Sequence, residues 1–234
     1  MGRILKKIFV FINPLMVPFS ILMGMILLVI QPWFLQFEYS RNNFPEDRFG
    51  FSEEDRIKYG IASLLYITES YPQNFLSNLS FESGDPIYGK RELDHMKDVQ
   101  IVFQAAKKTW TIVIILYFLQ IILFYRKASF QLLTRQILIH GSLLTIFMFI
   151  LIFFVALFAF DPFFQFFHQL FFVENSWLFY ESDTLIRLFP EKLWVDGFLL
   201  VSILTIITAV IFLLIGTEFS FFKKPLREPY PFRK

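Results

Sequence analysis

The sequence contains no cysteine. Disulfide bonds, thiolate nucleophiles and thiolate metal ligands are therefore excluded. The sequence also has no internal repeat, no heptad pattern, no P-loop and no glycine-rich dinucleotide fingerprint. It thus shows none of the short motifs that are typical of nucleotide-binding enzymes.

Apolar side chains, by contrast, are in large excess. Hydrophobic residues make up 56% and aromatic residues 20% of the 234 residues, including 34 Phe, and the mean hydropathy is +0.54. A soluble domain of this size does not need so much apolar surface. The composition predicts an integral membrane protein, and four apolar runs predict a mainly α-helical, four-span bundle with a small mixed α/β extracellular cap.

The boundaries of the four spans follow from the apolar runs and the charges between them. The first run is interpreted as an uncleaved span and not as a signal peptide, because it is long and no small-x-small cleavage site follows it. The predicted segments are an N-terminus with the first span at 1–36, a polar segment at 37–107, the second span at 108–126, a loop at 127–135, the third span at 136–160, a second polar segment at 161–195, the fourth span at 196–216 and a basic tail at 217–234.

Within the first polar segment, short motifs predict a cap of mixed structure. Residues 52–55 resemble a capping box that opens an amphipathic helix. Turn residues at 83–86 lie between β-prone residues at 79–81 and 87–88, a pattern that predicts a small β-hairpin. Residues 91–106 then have the apolar periodicity of a helix.

Basic residues are concentrated on one side of the predicted topology. The N-terminus, the link at 126–135 and the tail together carry half of the 22 Lys and Arg, but only Glu218 and Glu228 of the 20 Asp and Glu. By the positive-inside rule this side is cytoplasmic. We therefore expect a multi-pass protein of the cell membrane with both termini in the cytoplasm and both polar segments outside. The basic tail is interpreted as membrane anchoring and not as nucleic-acid binding.

Each outer polar segment carries one histidine in a distinctive motif. FFQFFHQLFF at 163–172 places His168 among phenylalanines, and on a helix Gln165, His168 and Gln169 share one narrow stripe. Such a helix lies in or on a membrane with its polar edge turned toward protein or water. The other motif, RELDHMKDV at 91–99, carries His95.

These two motifs, with Trp177 and the TLIRLFP stretch at 184–190, together resemble the Lit family, the lipoprotein intramolecular transacylases of low-GC Gram-positive bacteria. The resemblance extends over essentially the whole chain in the number and order of spans and in loop lengths. It implies an acyltransferase that moves the sn-2 acyl chain of a diacylglyceryl lipoprotein to the α-amine of its N-terminal cysteine, which produces a lyso-form lipoprotein. The partners that it implies are this lipoprotein substrate and membrane phospholipid.

The implied reaction needs a base and a hydrogen-bond donor. An α-amine has a reference pKa of about 7.7–8.0 and is mostly ammonium at neutral pH, whereas imidazole, with a pKa of about 6.5, accepts a proton near neutrality. Attack on the ester then builds an oxyanion that needs a donor. We therefore predict His95 and His168 as the catalytic pair at the outer leaflet, with His168 nearest the acyl ester. The sequence leaves open which is base and which is donor, and whether the acyl group passes through a histidine.

Three further residues are predicted to support this pair. Glu92 and Asp98 each lie three residues from His95, so on a helix either carboxylate can hold the imidazole in one tautomer. Glu92 also has a structural interpretation, as a negative charge at a helix N-terminus. Arg187 is the candidate contact for a lipid phosphate, a carboxylate or a carbonyl. No cofactor is expected, because acyl transfer from an ester to an amine runs downhill without ATP.

Two other classes of function fit parts of the pattern. A metal-dependent membrane hydrolase would use His95, Asp98 and His168 as ligands, although the HExxH arrangement and a third outer histidine are absent. A non-enzymatic adaptor or a transporter would need no histidine chemistry, but the spans carry few ionisable groups and no inverted repeat. His140, near the cytoplasmic end of the third span, is interpreted as structural or interfacial.

Overall fold

The structure is a computed structural model that describes residues 3–126 and 128–218. Helices make up most of these residues. In chain order they are α1 (Arg3–Val29), α2 (Pro32–Tyr39), α3 (Glu53–Glu69), α4 (Asn74–Ser77), α5 (Lys90–Phe124), α6 (Ala128–Phe158), α7 (Phe160–Phe171), α8 (Thr184–Leu188) and α9 (Glu191–Glu218). The predicted basic tail lies outside the described residues from position 219 onward.

Four of these helices, α1, α5, α6 and α9, are long and apolar enough to cross a membrane, which confirms the predicted number of spans. The first ends earlier than expected, at Val29, because Pro32 starts the separate helix α2. Proline has no N–H to donate but is well tolerated at the first position of a helix, so the chain breaks before it and restarts at it.

Helix α5 joins two predicted elements into one. Its 35 residues contain no glycine or proline, so nothing in the sequence ends the helix between the cap and the span. At 1.5 Å per residue the helix is about 50 Å long, well beyond a hydrocarbon core of about 30 Å. Lys108 is its last charged residue. The part of α5 after Lys108 is therefore apolar enough to lie in a membrane, whereas the N-terminal part that carries His95 is polar and charged.

The bundle is built around α6, which packs against both α9 and α1. Small residues make these contacts close: a methyl group added at Gly141 of α6 would lie 2.5 Å from the side chain of Val17 in α1. Such small-residue contacts are typical of helix packing in membranes. Helix α5 is tied to α1 by side chains, since Trp110 donates to the Ser20 carbonyl at 2.9 Å and Tyr117 donates to the Asn13 carbonyl at 2.9 Å.

The cap is helical, and the prediction of a mixed α/β cap is wrong. In place of a hairpin, the described residues contain one isolated antiparallel bridge, between Ser80 and Pro86. The turn itself forms, because Phe81 N–H donates to Asp85 and Ile87 N–H donates to Leu79. The ladder stops there because α4 has just ended on one side and α5 begins at Lys90 on the other, so neither arm has residues left to pair.

The predicted capping box at the start of α3 is confirmed. The Asp55 backbone N–H donates to Ser52 Oγ, and the Ser52 N–H donates to the Asp55 carboxylate. Helix α3 then packs on α5, α2 and α8. The core that α3 shares with α5 and α8 unites distant parts of the chain and consists of Phe51, Tyr59, Tyr66, Leu76, Ile87, Tyr88, Met96, Leu185 and Leu188. This core holds the first turns of α5 against the segment around α8.

Candidate active site

The N-terminal turns of α5 place His95 inside the cap. Gly89 is the N-cap residue, and its N–H donates to the Glu92 carboxylate at 2.7 Å, which fixes the first turn of the helix. His95 follows one turn later on the same face. It is buried, with 8% of its surface exposed, and its Nδ1 has no hydrogen-bond partner among the described residues.

Helix α7 carries His168 and confirms the prediction of a helix across FFQFFHQLFF. His168 Nδ1 lies 2.8 Å from the carbonyl oxygen of Phe164, four residues earlier on the same helix. A carbonyl oxygen only accepts hydrogen bonds, so this contact requires the proton on Nδ1. In the neutral ring the Nε2 atom then carries the free lone pair. The backbone of α7 thereby sets the tautomer that a general base requires.

The fold brings the two predicted histidines together. Their ring centroids are 6.2 Å apart, with 25° between the ring planes. Phe172 contacts both rings, at 5.0 Å from His95 and 5.6 Å from His168. Other aromatic rings complete the surroundings of the pair: Phe164 and Trp177 at 4.0 and 4.9 Å from His168, Phe167 at 5.7 Å from His168, and Phe179 at 5.4 Å from His95. We call this set the aromatic site.

The apolar surroundings keep both imidazoles neutral at pH 7. Burial, and to a smaller extent the neighbouring His168, lower the pKa of His95 to about 4. Burial also lowers the pKa of His168, although its hydrogen bond to Phe164 opposes this effect. Desolvation disfavours the charged form of a base, which explains both directions. Near neutrality each ring is therefore unprotonated at one of its two nitrogens.

Glu92 is held by backbone groups. One carboxylate oxygen accepts the Gly89 N–H, and the other accepts the Leu185 N–H of α8 at 2.7 Å. Glu92 thus ties the start of α5 to the start of α8, and burial raises its pKa in spite of these two bonds. Across residues 3–126 and 128–218, no hydrogen bond joins His95 to Glu92 or to Asp98.

Arg187, which also lies on α8, binds a carboxylate. Its Nε and one terminal nitrogen each donate to the Asp47 carboxylate at 3.0 Å, and its guanidinium lies 3.6 Å from the ring centroid of Phe51. Asp47 also accepts the N–H groups of Phe49 and Phe51. Burial raises the pKa of Asp47, but Arg187 and these N–H groups outweigh it and lower the pKa overall. The Asp47–Arg187 pair therefore joins the loop before α3 to α8.

Several residues contact the two histidines or their neighbours although the sequence did not predict a role for them. Arg91, in the same motif as His95, donates to the Leu178 carbonyl and lies 5.2 Å from the ring of Phe179. Trp177 contacts His168, and its Nε1 is buried without a hydrogen-bond partner in the described part of the chain. In the sequence, the signals for these contacts are the aromatic side chains of Trp177 and Phe179 and the place of Trp177 in the family resemblance.

The other predicted alternatives receive no support from the geometry. Among the residues that the structure describes, no three His, Asp or Glu side chains converge as a metal site. His95, Asp98 and His168 therefore do not form the ligand set that the hydrolase alternative requires. His140 lies exposed on α6, apart from the aromatic site.

Four membrane-spanning helices, a helical cap and a pair of neutral imidazoles define a polytopic membrane protein whose site suits proton transfer. The family described as "Lipoprotein intramolecular transacylase Lit" matches residues 11–194. The chain belongs to this Lit family and is a membrane-integral acyltransferase.

Individual proteins are also similar to this chain. An uncharacterised protein of Aquifex aeolicus is 33% identical over 183 residues, which cover 78% of this chain and 81% of that protein. The structure of the integral membrane transacylase Lit from Bacillus cereus matches with a TM-score of 0.76 at 19% identity, covering 95% of this chain and 99% of that one. A variant of the same protein with a histidine replaced by arginine matches with a TM-score of 0.70 at 19% identity, covering 94% of each chain. At this identity the solved structures show a shared fold.

Proposed function

We propose that this protein moves the sn-2 acyl chain of a diacylglyceryl lipoprotein to the α-amine of the lipoprotein's N-terminal cysteine, with His168 as the general base. Membership of the Lit family supports the reaction. The tautomer of His168 supports the assignment of the base, because its Nδ1 is committed to the Phe164 carbonyl and its Nε2 lone pair is free. This hydrogen bond is the observation that carries the proposal.

The reaction balances with a single proton shuttle. The ammonium first loses one proton to water. The neutral amine nitrogen then attacks the ester carbonyl carbon and forms the new C–N bond, while His168 Nε2 takes the second proton that the nitrogen loses. The tetrahedral intermediate then collapses, and the bond from the acyl carbon to the glyceryl oxygen breaks. The imidazolium of His168 returns the proton to that oxygen, which leaves an amide and a free hydroxyl. No covalent acyl-enzyme is needed, because amine and ester belong to one substrate molecule.

His95 acts in this scheme as a neutral partner. Its pKa of about 4 keeps the ring uncharged throughout turnover at neutral pH. From a centroid distance of 6.2 Å, a neutral imidazole and the base can contact the same reacting group. We assign His95 the role of a hydrogen-bond donor to the substrate and His168 that of the base. Glu92 supports His95 indirectly, by fixing the first turn of α5.

The outer face of α7 supplies the surface for an acyl chain. Its apolar side chains that point away from the protein remain exposed, namely Phe166 at 63%, Leu170 at 64% and Phe171 at 45%. Such a face lies in the lipid phase in a membrane protein. An acyl chain in the bilayer therefore reaches the aromatic site without crossing water. The positive-inside rule predicts that the basic termini are cytoplasmic, which supports the proposal that the reaction takes place at the outer leaflet.

Mass spectrometry of a lipoprotein's N-terminal lipopeptide tests this proposal. The lipopeptide is isolated from a host that lacks transacylases and expresses either this chain or its His168→Gln variant. We expect N-acyl-S-monoacylglyceryl cysteine with the wild-type chain and the diacylglyceryl form with the variant at equal membrane levels. An unmodified diacylglyceryl form with the wild-type chain would contradict the proposed reaction. Full conversion by the variant would contradict the assignment of the base.

A further inference from the structure

One of the four tryptophans of the chain differs from the other three in the hydrogen bonding of its indole N–H. Three of them donate their indole N–H to a backbone carbonyl: Trp33 to Leu28 at 3.0 Å, Trp110 to Ser20 at 2.9 Å and Trp194 to Phe189 at 3.0 Å. The fourth, Trp177, has its Nε1 buried, and no acceptor lies within reach in the described residues. A buried N–H without an acceptor costs free energy, so native proteins rarely keep one without a reason.

Trp177 lies beside the proposed base. Its ring centroid is 4.9 Å from that of His168, on a site whose other buried unpartnered nitrogen is His95 Nδ1. These two nitrogens, which have no partner in the described residues, can therefore form hydrogen bonds with a bound molecule beside the base. Since an indole N–H only donates, the group that it binds must be an acceptor.

The loop that carries Trp177 is held in place before any substrate arrives. Asn175 has a left-handed conformation with φ of 63°, and Ser176 donates through both its N–H and its hydroxyl to the Val173 carbonyl. On the other side of the tryptophan, Arg91 donates to the Leu178 carbonyl. A donor fixed in this way needs no reorganisation when charge develops on a substrate, which is the condition for efficient electrostatic catalysis.

We propose that the Trp177 indole N–H donates a hydrogen bond to the carbonyl oxygen of the substrate ester and to the oxyanion that this oxygen becomes. This rests on the proposed acyl transfer and adds a catalytic residue to it. An uncharged donor suits the aromatic site, since a cationic donor would have to be desolvated there. Because the negative charge is greatest in the tetrahedral intermediate, the bond is stronger there than to the ester and accelerates the reaction.

Replacement of Trp177 by phenylalanine tests the donor without removing the aromatic ring. With purified protein and a synthetic diacylglyceryl lipopeptide, we expect Trp177→Phe to lower kcat on the order of 10²-fold, the typical loss for one oxyanion donor, with little change in KM. Trp33→Phe is the matched control, because it also removes an indole N–H but one that donates to the protein's own backbone. The control variant should keep the wild-type kcat.

Substrate analogues separate an effect on the oxyanion from a loss of packing. A lipopeptide with a phosphonate at the sn-2 position carries a negative oxygen where the intermediate does, whereas an sn-2 ether has no such oxygen. We expect Trp177→Phe to weaken phosphonate binding on the order of 10-fold or more and to bind the ether as tightly as the wild-type protein does. Equal loss of affinity for both analogues would overturn the donor role and leave a packing role.

The result is distinguishable from a failure of the proposed function. If the wild-type protein forms no N-acyl product, the acyl transfer itself is contradicted. If the wild-type protein is active and Trp177→Phe turns over at the wild-type rate, only the role of Trp177 is overturned. Circular dichroism and thermal unfolding of both variants in detergent show whether the fold is retained.

Discussion

The cap contains two kinds of buried polar group, and they differ in whether their hydrogen bonds are made. At the contacts that hold α8, Glu92 and the Asp47–Arg187 pair find partners within the chain. In the aromatic site a few residues away, His95 Nδ1 and Trp177 Nε1 are buried without partners among the described residues. The first region uses its polar groups to join segments of the chain, and the second leaves two of them free.

This difference separates structural from functional residues more clearly than sequence motifs do. Glu92 and His95 lie in one motif, three positions apart, yet the Glu92 carboxylate is satisfied by backbone N–H groups, whereas His95 Nδ1 has no partner in the described part of the chain. An unsatisfied buried group costs about 1–3 kcal/mol, and a bound molecule that completes its hydrogen bond removes this cost. We therefore expect substitutions in the two regions to affect different quantities, stability in the first and turnover in the second.

The largest expected effect is the loss of turnover in His168→Gln. Glutamine keeps polarity and similar size but has no basic nitrogen, so the rate of lyso-form production should fall by roughly 10²–10⁴-fold, the contribution of a positioned base. His140→Gln is the matched control, because His140 is exposed on α6 outside the aromatic site. Initial rates from mass spectrometry of the lipopeptide measure both variants. A loss of the same size in His140→Gln would contradict a specific role of His168 in turnover.

The next effect is a loss of stability in Arg187→Ala. The substitution leaves the Asp47 carboxylate, whose side chain is 2% exposed, without its cation. Breaking such a buried pair costs about 3 kcal/mol, or about 6–12 °C in Tm for a chain of this size. Thermal unfolding in detergent measures it, and Arg48→Ala, at an exposed position, is the control. Activity per folded molecule should stay near wild type at low temperature. A specific loss of activity would place Arg187 in the active site instead.

A smaller loss of stability is expected for Glu92→Gln. The amide has one accepting oxygen, so it cannot accept from both Gly89 and Leu185, and its NH₂ group opposes one of these two N–H donors. We expect a cost of about 2 kcal/mol and a Tm lower by about 4–8 °C. Asp94→Asn is the control, because Asp94 is exposed on another face of the same helix, and this substitution should change Tm little. If Glu92→Gln changed the pH dependence of turnover and left Tm unaltered, Glu92 would orient the catalytic pair.

The smallest effect is a dependence of stability on pH that arises from His95. Its pKa is about 4 in the folded protein and about 6.5 when unfolded, so between these values only the unfolded chain binds the proton. Stability should therefore fall as pH is lowered from 6.5 toward 4. Lowering pH from 6.5 to 5.5 should cost about 1 kcal/mol, or about 2–4 °C in Tm.

In His95→Gln this part of the pH dependence should disappear, while the contributions of other groups stay. The difference between the Tm profiles of wild type and variant isolates His95. Parallel profiles over this range would show that His95 is not desolvated in the folded protein.

Much of the architecture could be predicted because it depends on short-range patterns. The four apolar runs, the capping box at Ser52 and the helix around His168 all follow from the identity and spacing of nearby residues. The β-hairpin at 79–88 could not be predicted correctly from such patterns. Its turn forms, but Ile87 and Tyr88 are buried in a core of helices and the chain enters α5 immediately afterwards. Packing against distant residues outweighed the local β-preference there.

By itself, the sequence determined the number of spans, the starts of helices such as α3 and the two histidine motifs, since hydrophobic periodicity and capping act over one or two turns. Only the tertiary structure decided that the ring centroids of His95 and His168 lie 6.2 Å apart, that Glu92 binds the Leu185 N–H, and that the buried indole N–H of Trp177 has no partner among the described residues. These are contacts between residues far apart in the chain. They depend on how the cap helices pack, and no local pattern encodes which distant groups will meet or which hydrogen bonds will be left unmade.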